Sequence, residues 1–535
     1  MNKKFCLLII IILCFAFNLP ISISTVPQES KELKPNNITI SSTKNYKYKS
    51  IDFNLGLDYI DDNKGYEDPY YIRGTMSVPI NIENKKLNPV IIVHGCHDNR
   101  NKKRYDTGFK YLTDFLAQNG YLAVSVDVNA AYDWNYGQDE EFIKIPEIVD
   151  SHIEALKKAN KGENYYGIDL KNKINFDNIS LVGHSRGGEA VFRIVEQQRK
   201  KGIKIDNLLV IAPTNNIDTN YNVGAKNISI LVPALDGDVI DLVGLSIYNT
   251  IRIGDKNTKI LSATTLKNGN HNYFNSEVKY NDSQMLKVDL TNQISRYEQE
   301  AFLQEFAVDF LDVCFGKDKK NTIYDDSIST ITKINGLDVL TYLSTENRKE
   351  IVDISEVNSF RTNNANMDIV EDCYAINKDS SPGINLPGHN ESPKDLLSIT
   401  WNKNDSYISF KPNVSDFSKY SGLSINVLVD GLNKLNKKGI PQSIGIELVD
   451  KRGKSQMVEI HRNTYLLSYP QGKRRVLDFN NNSRVVSWDE VTPMNNIRIP
   501  FKYYDSINLS KIKVCNIYFN NLESGALMFE SFSIN

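Results

Sequence analysis

The stretch Ile179–Val195, ISLVGHSRGGEAVFRIV, changes from a strand pattern to a helix pattern within a few residues. It begins with the apolar run Ile179–Val182 and ends with apolar residues at helical spacing. Ser185 lies between the two patterns and is flanked by Gly183 and Gly187. Because glycine has no side chain, this pair permits a sharp turn that exposes the serine hydroxyl. The alternative is a tight turn with no chemical role.

The region around this turn alternates apolar strands with helical patterns. Continuous apolar strands that alternate with helices are typical of an α/β fold, in which both faces of a parallel sheet are covered. We therefore predict a doubly wound, mostly parallel sheet over residues 40–316. The predicted strands are Pro89–Val93, Tyr121–Val126, Ile179–Val182, Leu208–Ile211 and Ile228–Val232, and the predicted helices are Asp106–Asn119, Ile145–Asn160, Glu189–Lys201 and Arg296–Phe315.

The residue pattern changes after Gly316. Helical periodicity fades, and apolar residues alternate with smaller or polar ones, as at Leu423, Ile425 and Val427. Short alternating strands separated by Gly, Asn and Asp indicate an antiparallel β-sandwich. We predict a linker over residues 317–345 and an all-β sandwich domain over residues 346–535.

The first residues have the pattern of a secretory signal peptide. A basic start, Met1–Lys4, precedes the apolar run Cys6–Phe17, and Ser22–Ser24 offers small residues at the spacing of a cleavage site. The apolar run is shorter than the ~20 residues of a membrane-spanning helix. We predict a signal peptide over residues 1–24 and a protein that is secreted or exposed at a bacterial cell surface, with no membrane span after cleavage. An uncleaved anchor is the alternative.

Charge and cysteine content narrow the classes of partner and cofactor. The chain has 535 residues, which predicts more than one domain, and its net charge of -2 gives no electrostatic reason to expect nucleic acid. The four cysteines after residue 24, at positions 96, 314, 373 and 515, are scattered. This spacing indicates neither a zinc site nor a disulfide framework. We predict no metal and no cofactor.

A nucleophilic serine requires a base, and the base requires an orienting carboxylate. The Gly-x-Ser-x-Gly turn implies the chain order serine, acid, histidine, and His271 is the only histidine after Ser185 in the first predicted domain. The acid is expected after the strand that ends at Val232. We favour Asp238, which follows the turn glycine and precedes an apolar pair, with Asp236 as the alternative acid.

The reaction also requires an oxyanion hole of two N–H groups. We predict that Arg186 supplies one, since it follows the nucleophile, and that Cys96 supplies the other from the loop after an early strand. Residues near these loops are candidates for the substrate cleft, although the aromatic ones could instead pack the loop interior. The cleft candidates are His97, Tyr132, Trp134, Tyr136 and His184.

Four motifs in this order, VIIVHG, GHSRGG, DGDV and GNHNYFN, resemble those of the α/β-hydrolase superfamily. The likeness covers roughly residues 50–316 and is nearest to esterases such as dienelactone hydrolases, platelet-activating-factor acetylhydrolases, cutinase-like polyesterases and chlorophyllases. It implies a serine esterase, although DGDV departs from the common Gly-x-x-Asp acid motif. The C-terminal region resembles the jelly-roll modules of secreted bacterial enzymes, which implies binding to polysaccharide or cell wall.

We therefore predict a secreted serine hydrolase that cleaves small or polymeric carboxylic esters through an acyl-enzyme. Two alternatives keep the same fold: a serine peptidase, and a catalytically inactive hydrolase that serves as a surface-binding protein. A third is a metallohydrolase based on His94, His97 and Asp98, for which the sequence offers no evident further ligands.

Overall fold

The computed structural model describes most of the chain from residue 30 onward. The described residues are 30–42, 46–61, 67–80, 86–97, 103–132, 139–177, 179–215, 219–240, 242–251, 253, 258–286, 288–317, 320–363, 367–374, 394–430, 433–437, 439–468, 473–477, 483–487, 494–519 and 522–535. The predicted signal peptide, residues 1–24, lies outside them. Among the described helices, none is long and apolar enough to cross a membrane.

Strands outnumber helices in this structure. The first twelve strands are β1 (Ser30–Glu32), β2 (Asn36–Ile38), β3 (Tyr48–Asp61), β4 (Glu67–Pro79), β5 (Pro89–Val93), β6 (Leu122–Val126), β7 (Ile179–His184), β8 (Ile205–Ile211), β9 (Asn227–Pro233), β10 (Ile260–Leu266), β11 (Ile331–Ile334) and β12 (Leu337–Thr345). The remaining strands are β13 (Lys349–Glu350), β14 (Phe360–Thr362), β15 (Met367–Tyr374), β16 (Lys394–Trp401), β17 (Tyr407–Phe410), β18 (Gly422–Val429), β19 (Ile444–Asp450), β20 (Ser455–Ile460), β21 (Lys473–Leu477), β22 (Ser483–Ser487), β23 (Asn495–Pro500), β24 (Ile512–Tyr518) and β25 (Gly525–Ile534). The helices are α1 (Lys110–Gln118), α2 (Asp139–Lys161), α3 (Arg186–Lys200), α4 (Gly244–Thr250) and α5 (Arg296–Cys314).

The largest sheet has eleven strands in the order β2-β11-β12-β10-β9-β8-β7-β5-β6-β4-β3. The strands from β10 to β6 in this order are parallel to one another, whereas β4 pairs antiparallel with β6 and β12 pairs antiparallel with β10. The sheet is therefore mixed, with antiparallel strands on both sides of a parallel centre.

Alternation along the central strands creates an apolar core on each face of this sheet. In β5, Ile91 and Val93 pack in the core that also contains apolar residues of α2, α3 and α4. Val90 and Ile92 lie in the opposite core, with apolar residues of α1 and α5. Because successive side chains of a strand point to opposite faces, a strand buried on both faces must be apolar throughout.

The C-terminal region forms two further six-stranded sheets. One has the order β1-β20-β19-β24-β17-β14, and the other has the order β15-β16-β25-β18-β23 with β13 on β25. Their apolar residues form a third core, in which the rings of Trp401 and Phe519 stack with centroids 4.4 Å apart. Strands β21 and β22 form a separate hairpin, and β21 contacts the turn Asp282–Met285.

The N-terminal and C-terminal parts of the chain interlock. Strand β1 pairs with β20 of a C-terminal sheet, whereas β2, four residues later, pairs with β11 of the large sheet. Arg498 of β23 is buried, its backbone N–H donates to Thr330 Oγ1 at 2.7 Å, and its guanidinium donates to the Asp325 carbonyl at 3.2 Å. The Tyr342 hydroxyl of β12 donates to the Met494 carbonyl.

The predicted fold, a doubly wound α/β-hydrolase domain followed by a separate β-sandwich, is wrong. The described residues contain five helices, with 24% helix against 36% strand, and the large sheet is mixed. The predicted linker, residues 317–345, contains β11 and β12, whose Val339 and Leu343 are buried in the large sheet's core. Pairing between distant strands, which local periodicity does not report, produces the difference.

The buried His152 on α2 should lower the free energy of unfolding. Its imidazole is 1% exposed, its ring meets the edge of Phe53 at 5.8 Å, and neither ring nitrogen has a hydrogen-bond partner among the described residues. Burial lowers the pKa of His152 from 6.5 to about 4, with Asp127 opposing the shift. Protonation therefore favours the unfolded chain, and stability is lost as pH falls below 6.5.

We predict that His152→Leu raises the free energy of unfolding by ~1 kcal/mol near neutral pH, because it removes a buried N–H without an acceptor. Near pH 5 the gain should grow by roughly 2 kcal/mol, because the wild-type imidazole must stay neutral there. Urea unfolding at several pH values measures both effects. His461→Gln, at a partly exposed histidine, is the control, and an unchanged pH slope in His152→Leu contradicts the prediction.

We also predict that a chain ending at Lys320 does not fold cooperatively. It lacks β11 and β12, so it leaves β10 with an uncovered edge and β2 without its partner strand. A chain ending at Glu346 keeps all eleven strands of the large sheet. It should show a thermal unfolding transition by circular dichroism, with a midpoint temperature below that of the full chain. The prediction fails if the chain ending at Lys320 melts at the temperature of the full-length protein.

Candidate active site

Ser185 occupies a strained turn at the end of a central strand. Strand β7 ends at His184, helix α3 begins at Arg186, and Ser185 between them has φ 58° and ψ -126°. Residues other than glycine rarely adopt this backbone region, and such a conformation costs of order 1–3 kcal/mol. The Ser185 N–H donates to the Ile211 carbonyl at 2.9 Å, which holds the turn against the neighbouring strand β8.

Three glycines allow the chain to pass closely around this serine. A Cβ atom on Gly95 would lie 2.6 Å from the Ser185 Cβ and 3.2 Å from its Oγ. A Cβ on Gly187 would lie 2.5 Å from the His94 carbonyl, and one on Gly183 would overlap the Gly187 carbonyl. The loop after β5 therefore lies directly against the Ser185 side chain. A larger residue at position 95 or 187 would push that loop away, and one at position 183 would push away the start of α3.

The Ser185 hydroxyl does not serve as a helix cap. Serine at this position usually accepts a hydrogen bond from the first turn of the helix, but the Ser185 side chain makes no such bond with α3. The helix is instead joined through the Ser185 carbonyl, which accepts from Gly188 N–H at 2.8 Å and from Glu189 N–H at 3.3 Å. A purely structural role for the hydroxyl as a cap is thus excluded.

A buried histidine–aspartate pair lies beside the turn. His271 Nδ1 is 2.9 Å from Asp236 Oδ2, and the two side chains are 2% and 1% exposed. The other carboxylate oxygen, Oδ1, accepts from the backbone N–H groups of Asp238 at 2.9 Å and Val239 at 2.6 Å. These bonds fix the Asp236 carboxylate, so the ring proton of neutral His271 lies on Nδ1 and Nε2 is the basic nitrogen.

The geometry reverses the predicted preference for Asp238 over Asp236. Asp238 is 59% exposed, and its Oδ2 lies 3.6 Å from His271 Nε2 rather than Nδ1. The orienting position at Nδ1 belongs to Asp236, the alternative acid. The reason is the tight turn at Gly237, which directs the first carboxylate inward and the second toward solvent.

The charge of Asp236 controls the protonation of His271. Burial alone would lower the pKa of His271, but the Asp236 carboxylate and its hydrogen bond raise that pKa above the ordinary 6.5, and Asp238 and Asp282 act in the same direction. The imidazolium form of His271 is therefore stabilised in its buried position. A base in this position holds a proton firmly once it has accepted one.

His184 connects the serine turn to the base. Its ring centroid lies 4.7 Å from that of His271, and its Nε2 donates to the His271 carbonyl oxygen at 3.1 Å. Because His184 immediately precedes Ser185, this contact holds the loop of His271 against the end of β7. His184 was predicted to line a substrate cleft, but it is 1% exposed, and its ring packs against the rings of Phe109 and Phe274 as well as that of His271.

Two residues that the sequence analysis missed hold the loop of His271. Gln299 on α5 accepts from Asn270 N–H at 2.9 Å and donates to the Asn270 carbonyl at 2.7 Å. The carboxylate of Asp282 accepts the backbone N–H of His271 at 3.1 Å. Gln299 could have been noticed, since it is a polar residue three positions before Phe302 on the apolar face of a predicted helix; Asp282 has no such signal.

The loop of the predicted oxyanion hole is fixed by His94. Val128 N–H donates to His94 Nε2 at 3.0 Å, so the ring proton lies on Nδ1, which donates to the Gly95 carbonyl at 2.8 Å. In a trans peptide the Gly95 carbonyl and the Cys96 N–H point in opposite directions, so this N–H points away from the His94 ring. Arg186, which was predicted to supply the second N–H, is the first residue of α3.

The remaining cleft candidates have different environments. Tyr132 is 1% exposed, and its hydroxyl donates to the His94 carbonyl at 2.7 Å, so it supports the loop instead of lining a cleft. His97 stacks on Tyr105 with ring centroids 3.7 Å apart. Trp134 and Tyr136 lie outside the described residues.

The alternative of a metal site built on His94 and His97 has little support. Both ring nitrogens of His94 are engaged by the backbone, as described above. In the part of the chain that the structure describes, no group of three or more His, Cys, Asp or Glu side chains is arranged to hold a metal ion. Asp98, the third residue of that hypothesis, lies outside this part.

Comparison with known proteins adds no family to this picture. No protein-family model matches the chain, and no curated protein sequence is significantly similar to it.

Proposed function

We propose that the protein is a serine hydrolase that cleaves carboxylic esters through an acyl-enzyme intermediate. The observation that carries this proposal is the buried contact between His271 Nδ1 and Asp236, next to a strained turn that presents Ser185. A nucleophile, a base and an orienting acid are the three groups that this chemistry requires.

In the first half of the reaction, His271 Nε2 takes the hydroxyl proton as Ser185 Oγ bonds to the ester carbonyl carbon. The carbonyl oxygen becomes an oxyanion, which the N–H groups of Arg186 and Cys96 stabilise. When the intermediate collapses, the bond to the alcohol oxygen breaks, and His271 gives its proton to the departing alcohol. In the second half water follows the same route and releases the acid from Ser185.

We also propose a location, a substrate class and a binding partner for the protein. The substrates are small or polymeric esters, the protein acts outside a bacterial cell, and the C-terminal sheets bind polysaccharide or cell wall. The signal-peptide pattern of residues 1–24 supports the location, and the likeness in sequence of residues 346–535 to modules of secreted bacterial enzymes supports the partner. A serine peptidase would use the same three residues, and hydrolysis of matched ester and amide substrates separates the two activities.

We predict that a fluorophosphonate probe labels the protein at Ser185 and that Ser185→Ala abolishes both labelling and ester hydrolysis. The reason is that the electrophilic phosphorus of the probe takes the place of the ester carbonyl carbon and is attacked by an activated serine hydroxyl. Peptide mapping by mass spectrometry identifies the labelled residue. Thr214→Ala, near the same turn, is the control. Labelling at another residue, or full activity in Ser185→Ala, overturns the nucleophile; a folded protein that neither labels nor turns over esters supports the inactive-hydrolase alternative.

We predict that Asp236→Asn lowers kcat by ~10⁴-fold, since an amide no longer fixes the Nδ1 proton. Asp238→Asn should lower kcat by less than ~10-fold, because its carboxylate is exposed and screened. If Asp238→Asn instead lowers kcat more than Asp236→Asn does, Asp238 is the acid.

The pH profile gives an independent test of the same pair. The base must be neutral, so kcat/KM should fall as pH decreases through the pKa of His271, which Asp236 and Asp238 raise above 6.5. In Asp238→Asn this midpoint should move to lower pH, because one of the charges that raise it is gone. An unchanged midpoint would contradict the role assigned to that charge.

A further inference from the structure

Asp282 is completely buried, and its carboxylate faces backbone N–H groups of both catalytic loops. Oδ2 accepts from Gly237 at 2.7 Å, in the loop that carries Asp236, and from His271 itself at 3.1 Å. Oδ1 accepts from Asn272 at 3.0 Å. One side chain thus joins the loop of the acid to the loop of the base.

The packing around this carboxylate leaves little room for adjustment. A Cβ on Gly237 would overlap the Asp282 carbonyl oxygen, so the acid loop and the turn of Asp282 are in direct backbone contact. Ser283 Oγ donates to the Leu235 carbonyl at 2.6 Å, which ties the same turn to the acid loop a second time. The turn is also contacted by strand β21.

We propose that Asp282 is a positioning residue that sets the distance and angle between His271 and Asp236. This inference rests on the proposed function, since it concerns the same pair. Asp282 acts through the backbone of the two loops and does not touch the substrate. A shift of about 1 Å at a catalytic group can cost ~10²-fold in rate. The contribution of Asp282 to the rate therefore comes from holding His271 and Asp236 at the correct distance and angle.

Asn is the sharpest replacement because it keeps the shape and removes one acceptor. Its single oxygen can serve either Gly237 and His271 together or Asn272, and its NH₂ group then faces a backbone N–H with no acceptor between them. At least one loop must therefore move. Asp309→Asn is the matched control, because the Asp309 carboxylate on α5 is also buried and accepts a backbone N–H, that of Ile323, outside both loops.

The experiment is a double-mutant cycle with Asp236→Asn. We expect Asp282→Asn alone to lower kcat by ~10- to 100-fold with little change in KM, while Asp309→Asn stays near wild type. In the Asp236→Asn background the same substitution should cost less than about 3-fold, since there is no longer a pair to align. Equal losses in both backgrounds mean a general structural role and overturn the proposal.

A second measurement does not depend on activity. The pKa of His271 is read by NMR of its imidazole in wild type, Asp282→Asn and Asp309→Asn. The titratable groups that face this ring are Asp236, Asp238, Asp282, His97 and His184. We expect that pKa to fall in Asp282→Asn and to stay constant in Asp309→Asn, whose carboxylate is not among the charges that raise it. An unchanged pKa and kcat in Asp282→Asn reject the positioning role. If the wild-type protein is not labelled at Ser185 by the fluorophosphonate probe, the hydrolase function is rejected, but the measurement of the His271 pKa remains valid.

Discussion

The contact between His271 Nδ1 and Asp236 is the interaction on which the site depends. Two buried polar groups are stable only when they satisfy each other and their remaining hydrogen-bond capacity. Asp236 does so with His271 and two backbone N–H groups, and His271 is held by Asp282 and His184 through its own backbone. The position of the His271 ring thus follows from a network of main-chain bonds.

The cores of the large sheet provide the rigid frame for this network. Ser185, Asp236 and His271 each follow a strand of the parallel centre, β7, β9 and β10, so the sheet sets their spacing before any side chain contributes. The strain at Ser185 persists because the surrounding backbone is bonded on both sides of it. Arg498 and the contacts of β12 then join this frame to the C-terminal sheets.

The sequence predicted local features better than long-range ones. The strand at Pro89–Val93 and the turn at Ser185 were predicted because period and glycine spacing are local properties. The mixed eleven-stranded sheet was not, since its edges come from residues before 80 and after 330. Asp236 and Asp238 could not be separated because they differ only in backbone direction across Gly237, and Asp282 is invisible to motif analysis because it acts on main-chain groups.

The pairing of β1 with β20 has a consequence for the order in which the chain can fold. Ser30 lies opposite Met457, and Leu33 is buried in the C-terminal core. Strand β1 therefore cannot pair until the chain has been synthesised as far as β20. Closing so long a loop is entropically slow, and contacts of this separation form late. Until then the newly made N-terminal strand presents an unpaired edge, which makes the nascent chain dependent on whatever keeps that edge covered during synthesis.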